Sequence, residues 1–172
     1  MKHFLLVVCL ILVVFSSKAQ QQTHSEITTY YLIRHAEKDR SDPSVKDVHL
    51  TEEGKRRAIF WDQVLQHVPF NAVYATNYNR TKETVLPTAK RNNLNIISYR
   101  PDNAYNEDFK KSTKGKTILI AGHSNTIPDF VNAIIGSKNY EEIEDDNNGN
   151  LYIVTIVNGK STAMVLTINP GF

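Results

Sequence analysis

Two guanidiniums and two imidazoles stand just beyond short apolar runs: Arg34-His35 after Ile27 to Ile33, Arg80 after Asn71 to Thr76, and His123 after Thr117 to Gly122. Brought together without an equal number of acids, they make a site for a dianion. Phosphate suits it, because arginine can fork two phosphate oxygens and each charge-assisted hydrogen bond contributes about 1.5 to 3 kcal/mol. A helix beginning near Thr126 would aim backbone N–H groups and a positive dipole end at the same place. Ser124 and Asn125 lie between; Asn125 reads either as the helix cap or as a further phosphate contact.

Convergence requires a scaffold, and hydrophobic periodicity supplies one. Ile27 to Ile33 is predicted as a buried strand. Leu50-Thr51-Glu52-Glu53-Gly54 then reads as a helix start, with Thr51 as cap and acids in the first turn. Ala58, Trp61, Leu65 and Val68 recur on one face of that helix. A strand at Asn71 to Thr76, a helix from about Asn79 to Arg91, a strand at Asn95 to Tyr99 and a strand at Thr117 to Gly122 follow. The next helix, Thr126 to Ile135, presents Ile127, Val131, Ile134 and Ile135 on its buried side. Leu151 to Val157 and Ser161 to Ile168 form a closing hairpin around Asn158-Gly159, a strong two-residue turn. Pro87 implies a kink, or a helix that starts late enough to hold proline in its first turn.

Strands alternating with helices predict an α/β fold, a mostly parallel sheet covered on both faces, with the C-terminal β-hairpin adding at least one antiparallel strand. Ligands in such sheets bind outside the carboxyl ends of the strands. That rule gathers Arg34, His35, Arg80 and His123 at one edge.

Residues 1–19 are read as a signal peptide: Lys2, an apolar run from Phe4 to Phe15, and Ser17-Lys18-Ala19 before the expected cut. About a dozen apolar residues fall short of the roughly 20 of a spanning helix, which disfavours a retained anchor. Cys9, deep in that run, does not suit lipidation. The expectation is an exported chain, periplasmic or secreted, with residues 20–26 as a polar tether and 27–172 as one catalytic domain. Of 20 Lys+Arg and 18 Asp+Glu, the leader carries Lys2 and Lys18 and no acid, leaving 18 against 18. A neutral domain has no electrostatic case for nucleic acid, and none is expected for a membrane after cleavage. Cys9 is the only cysteine and leaves with the leader, which removes thiol catalysis, disulfides and cysteine metal sites.

Four segments resemble the histidine phosphatase superfamily, also called phosphoglycerate mutase-like. Tyr31-Leu32-Ile33-Arg34-His35-Ala36-Glu37-Lys38 is similar to its opening Arg-His signature, with Ala36 where glycine is commoner. Leu50-Thr51-Glu52-Glu53-Gly54 resembles its Leu-Thr-x-x-Gly helix start. Val73 to Arg80, followed by Thr84, keeps the spacing of the second arginine and a later threonine, although the usual Ser-Pro-Leu lettering is replaced. Ala121-Gly122-His123-Ser124-Asn125 resembles the second histidine box. The resemblance implies that His35 attacks phosphorus through a neutral ring nitrogen, while Arg34, Arg80 and His123 stabilise the transferring oxygens. It implies neither metal nor cofactor, and a small phosphoester as substrate. A general acid is expected between the second arginine and second histidine, where Asp102, Glu107 and Asp108 are available and spacing favours Glu107.

The remaining polar residues have plainer readings. His24, His49 and His67 are expected to be structural hydrogen-bonders, and Glu37 and Lys38 a local ion pair or pocket rim. Glu141 to Asp146 suggests calcium at first sight but lacks EF-hand spacing and reads as a solvated loop. Beside the phosphomonoesterase stand two alternatives, a protein phosphohistidine phosphatase and a non-catalytic phosphate-binding module. Mutase activity fits less well, as no long insertion encloses a sugar-acid phosphate.

Overall fold

The computed structural model describes residues 26–171. The expected signal peptide, and the tether up to Ser25, lie outside the described residues. Six strands and four helices follow one another as β1 (Ile27–Arg34), α1 (Glu52–Val64), β2 (Ala72–Thr76), α2 (Asn79–Arg91), β3 (Ile96–Tyr99), α3 (Glu107–Thr113), β4 (Thr117–Gly122), α4 (Thr126–Ile135), β5 (Asn150–Val157) and β6 (Lys160–Thr167). They build one sheet in the order β3-β2-β4-β1-β5-β6. The first four strands are mutually parallel, β5 runs antiparallel to β1, and β6 antiparallel to β5. Among the described residues no helix is long and apolar enough to cross a membrane.

Alternation along the central strands splits the core into two layers, because successive side chains leave a strand on opposite faces. Tyr30 and Leu32 of β1 join Ile118 and Ile120 of β4 under α3 and α4, packed on Phe109, Ile127, Phe130 and Val131. Ile33, Leu119 and Ala121 face the other way, onto Trp61, Leu65, Val85 and Ala89 of the α1 and α2 segments. Burial on both faces explains why β1 and β4 read as continuous apolar runs.

Local signals account for most element ends. Thr51 caps α1, its side chain accepting from the Gly54 amide at 3.0 Å. Asn158 and Gly159 adopt φ 50° and 78°, the pair of left-handed residues that a tight hairpin turn requires. One of the two readings of Pro87 is ruled out, and one helix is new. Pro87 lies well inside α2, which starts at Asn79, so a late start is not the solution. Burial of Thr81, Thr84, Val85, Thr88 and Ala89 along that helix offsets the loss of one backbone hydrogen bond. The seven-residue α3 was not anticipated, although Asn106 caps it by accepting from the Phe109 amide and its charges favour the helix dipole, acids first and Lys110 and Lys111 last.

Candidate active site

Register puts the histidines side by side. Arg34 of β1 pairs with Gly122 of β4 in a parallel ladder, so His35 and His123 leave the sheet together at the carboxyl edge. Their ring centroids are 5.5 Å apart. On the other side of β4, Ala75 is level with Ala121, which brings Thr76 up to the His123 ring.

His35 is almost fully buried and held at three points. Its amide donates to the Gly122 carbonyl (2.9 Å), its carbonyl accepts from the Asn148 side chain (2.7 Å), and Nδ1 lies 2.8 Å from the Ala36 carbonyl. A carbonyl can only accept, so Nδ1 carries the hydrogen and Nε2 keeps its lone pair. The Ala36 amide donates to Thr84 Oγ1 (2.9 Å), whose hydroxyl donates to the Arg80 carbonyl (2.7 Å), joining the His35 segment to the helix that carries the second arginine. From the opposite side, α1 closes in through Gly54. A Cβ there would lie 2.2 Å from the Glu37 carbonyl oxygen, so only glycine allows this approach.

His123 has the complementary arrangement. Its Nε2 lies 2.9 Å from Thr76 Oγ1; the Thr76 hydroxyl is turned toward Thr81 Oγ1 (3.1 Å), so Nε2–H donates to Thr76. Nδ1 is left as an acceptor, with Arg80 Nη2 3.5 Å away. The Arg80 guanidinium lies over the Tyr78 ring at 4.3 Å, and Tyr78 meets His123 edge to face.

Burial and nearby cations dominate the electrostatics of the two rings. Burial is the main reason that the His35 pKa falls to about 3; the Ala36 hydrogen bond opposes this, and His123, Arg34 and Arg80 add to it. Burial followed by Arg80, Lys38 and Arg34 lowers His123 to about 4. Both rings are neutral near pH 7. The Nε atoms of Arg34 and Arg80 are buried without a hydrogen-bond partner, leaving donors for an incoming anion.

Arg34 also anchors a loop. Its Nη1 donates to the carbonyls of Glu144 (2.8 Å), Asp145 (3.0 Å) and Asn147 (3.0 Å), and its Nη2 to the Asp145 carboxylate (2.8 Å). The same carboxylate oxygen accepts from Arg40 at 2.8 Å. The acidic stretch expected as a solvated loop is therefore anchored over the site through its backbone, with Ile143 buried and its amide donating to the Ser124 carbonyl. Among the described residues no group of three or more His, Cys, Asp or Glu side chains is placed to hold a metal ion.

Of the expected site residues, Arg34, His35, Arg80 and His123 are together. Asn125 precedes α4 but is exposed and makes no side-chain cap bond; Thr126 Oγ1 accepts from the His123 amide instead. Glu107 requires correction as the general acid. It pairs with Lys110 and lines a cavity with Thr28 and Tyr30, at the start of β1, whereas His35 follows its end; seven strand residues separate these ends by about 23 Å. Asp108 shares the exposed first turn of α3, and Asp102 is exposed in a pair with Arg100. Glu37 pairs with Arg57 (2.6 Å), not Lys38. His49 bonds to Glu83, His67 is exposed, and His24 lies outside the described residues. Thr76, Asn148 and the 144–147 backbone carried no sequence signal, while Thr84 was visible only as a spacing.

A parallel-centred α/β sheet whose two middle strands end in adjacent histidines, flanked by two arginines, defines the phosphoglycerate mutase-like class. Residues 30–104, from β1 through β3, match the family model of the histidine phosphatase superfamily (branch 1). Similar solved structures include phosphoglycerate mutase from Bacillus anthracis (TM-score 0.65, 14% identity, 85% of this chain and 95% of that one). The protein histidine phosphatase SixA complexed with tungstate is also similar (0.64, 15%, 81% and 96%). So is a mutant phosphoserine phosphatase from Entamoeba histolytica in complex with phosphoserine (0.58, 16%, 79% and 94%). At these identities the likeness is one of fold. No curated protein sequence matches the chain.

Proposed function

We propose that the chain is a metal-independent phosphoric monoester hydrolase that forms a phosphohistidine on His35 and acts on a small phosphorylated compound outside the cytoplasm. The observation that carries this reading is the Nδ1–H of His35 held by the Ala36 carbonyl at 2.8 Å, which directs a neutral Nε2 lone pair beside His123 and two arginines. Nε2 attacks phosphorus, the ester oxygen departs, and water then cleaves the P–N bond. Arg34 and Arg80 offset the charge spreading over the transferring oxygens. A dianion beside His123 favours its protonation, converting Nδ1 from acceptor to donor.

The test is a quench-flow search for an acid-labile phosphoenzyme with an aryl phosphate, beside His35→Ala. Loss of the adduct and of turnover in the variant is expected; full activity in His35→Ala would overturn the mechanism. Binding of vanadate with no turnover by the unmodified protein would instead leave a phosphate-binding module. The export reading rests on residues 1–19 and is tested by fractionating cells that express the full chain.

Protein phosphohistidine phosphatase activity is the second reading. It is favoured by the remoteness of Glu107 from His35, since a phosphoramidate needs less help from an acid than an alkyl ester, and by likeness to SixA. Release of phosphate from a phosphohistidine protein faster than from phosphoserine would select it.

A further inference from the structure

Departure of an ester oxygen requires a proton, and the acids expected to supply it are not at the site. Four carboxylates line the cavity of about 280 Å³ beside His35: Glu37, Glu53, Asp145 and Asp146. Two are committed as acceptors, Glu37 to Arg57 and Asp145 to both Arg34 and Arg40. Hydrogen bonds from those two arginines hold the Asp145 carboxyl below its ordinary range. Such groups accept hydrogen bonds and give up no proton.

Lys38 lines the same cavity, three residues beyond the nucleophile. It also lines an adjoining cavity of about 310 Å³ between residues 38 and 48. Lys38 is thus the residue shared, with Arg40, by the cavity beside His35 and an adjoining one with room for the organic part of a substrate. Its backbone is fixed on both sides, the Thr51 amide donating to the Glu37 carbonyl and the Asp39 amide to the His49 carbonyl, each at 2.9 Å. Among the described residues the ammonium makes no direct hydrogen bond or ion pair, and the Asp145 carboxylate attracts it only weakly, so the lowering of its pKa prevails. Burial, Arg40 and Arg80 lower its pKa from the ordinary lysine value, making it the more ready proton donor.

The geometry points to Lys38 as the general acid and base of the reaction, an inference that rests on the phosphohistidine reading. In the first step the His35 Nε2–P bond forms, the P–O bond to the leaving group breaks, and a Lys38 ammonium proton passes to the departing oxygen, releasing an alcohol. In the second, neutral Lys38 takes a proton from water as its oxygen bonds to phosphorus and the P–N bond breaks, releasing phosphate and restoring both side chains.

The test measures kcat/KM of the full chain on aryl and alkyl phosphates of rising leaving-group basicity, for wild type, Lys38→Met, Lys38→Arg, Glu53→Gln, Asp146→Asn and His35→Ala. Lys38→Met should lose about a hundredfold or more on alkyl esters and little on a nitrophenyl ester, whose oxygen leaves unaided. Lys38→Arg keeps the charge and should not restore the alkyl esters. An equal loss across the series in Lys38→Met, or rescue by arginine, would reduce Lys38 to a phosphate-binding charge and overturn the proposal. A selective loss in Glu53→Gln or Asp146→Asn with Lys38→Met unaffected would give the role to a carboxylate. Turnover persisting in His35→Ala refutes the phosphohistidine reading itself, whatever the lysine variants do.

Discussion

The Nδ1–H of His35 is bonded to the carbonyl oxygen of Ala36, its immediate neighbour in the chain, at 2.8 Å. The His35 ring is therefore oriented by its own backbone rather than by a carboxylate. That backbone is in turn fixed by Thr84, Asn148 and the Gly122 carbonyl. The Ala36 hydrogen bond raises the basicity of the ring, and burial lowers it by more.

Stability should respond to pH through the two histidines. Their folded pKa values, about 3 for His35 and about 4 for His123, lie below the ordinary 6.5. The unfolded chain therefore binds protons below about pH 6.5 that the folded chain refuses. Their contribution is fully present above that pH, diminishes as pH falls, and is exhausted below about pH 3. Thermal melts of wild type and His123→Asn between pH 7.5 and 4.5 should show a shallower decline in the variant.

Anion binding should take up a proton. His123 is neutral in the empty site, and a phosphate or vanadate dianion beside it favours the charged ring. Calorimetry at pH 7 in buffers of different ionisation enthalpy should show net proton uptake on vanadate binding, reduced in His123→Asn.

Arg34→Met should cost stability as well as activity. Three loop carbonyls and the Asp145 carboxylate lose their shared donor, a loss of about 2 to 4 kcal/mol. Urea denaturation reads the magnitude. Hydrogen exchange should rise within residues 141–148 ahead of the rest of the fold, and Arg34→Lys should recover little, because one ammonium cannot span the same acceptors.

Gly54→Ala should destabilise by about 2 to 3 kcal/mol, since the added Cβ would lie 2.2 Å from the Glu37 carbonyl oxygen and force α1 away from the His35 segment. A lower melting temperature with a reduced kcat is expected. An alanine at Gly136, where nothing lies within 4 Å, should lower only the stability, through its left-handed φ of 70°.

Glu107→Gln should leave kcat/KM unchanged on alkyl and aryl phosphates alike. Its side chain pairs with Lys110 at the far end of β1. A selective loss on alkyl esters would return the acid role to the α3 segment.

Much of this could be read along the chain, and the reason differs element by element. β4 and α4 were predicted with the bounds observed, because each is a continuous or periodic apolar segment whose pattern no neighbour overrides. α3 was missed because seven residues with two buried positions carry too little periodicity. The reach from Glu107 to His35 was misjudged because spacing along a chain does not tell which end of a sheet a connection occupies. The acidic side chains of the loop over Arg34 are exposed, as their composition implies; what composition does not show is that the backbone carbonyls of the loop bind the arginine.

The amino-acid sequence by itself determined the alternation of strands and helices, the gathering of Arg34, His35, Arg80 and His123 at one sheet edge, and the kind of ligand they suit. Those properties follow from local periodicity and side-chain chemistry, which each segment carries alone. Only the tertiary structure decided the His35 tautomer, the anchoring of residues 144–147 by Arg34, and which charged side chains stand near His35. The tautomer follows from the way Thr84 and Asn148 fix the backbone around Ala36, and the rest from approaches between segments, some of them more than a hundred residues apart, set by strand register and by the close contact at Gly54.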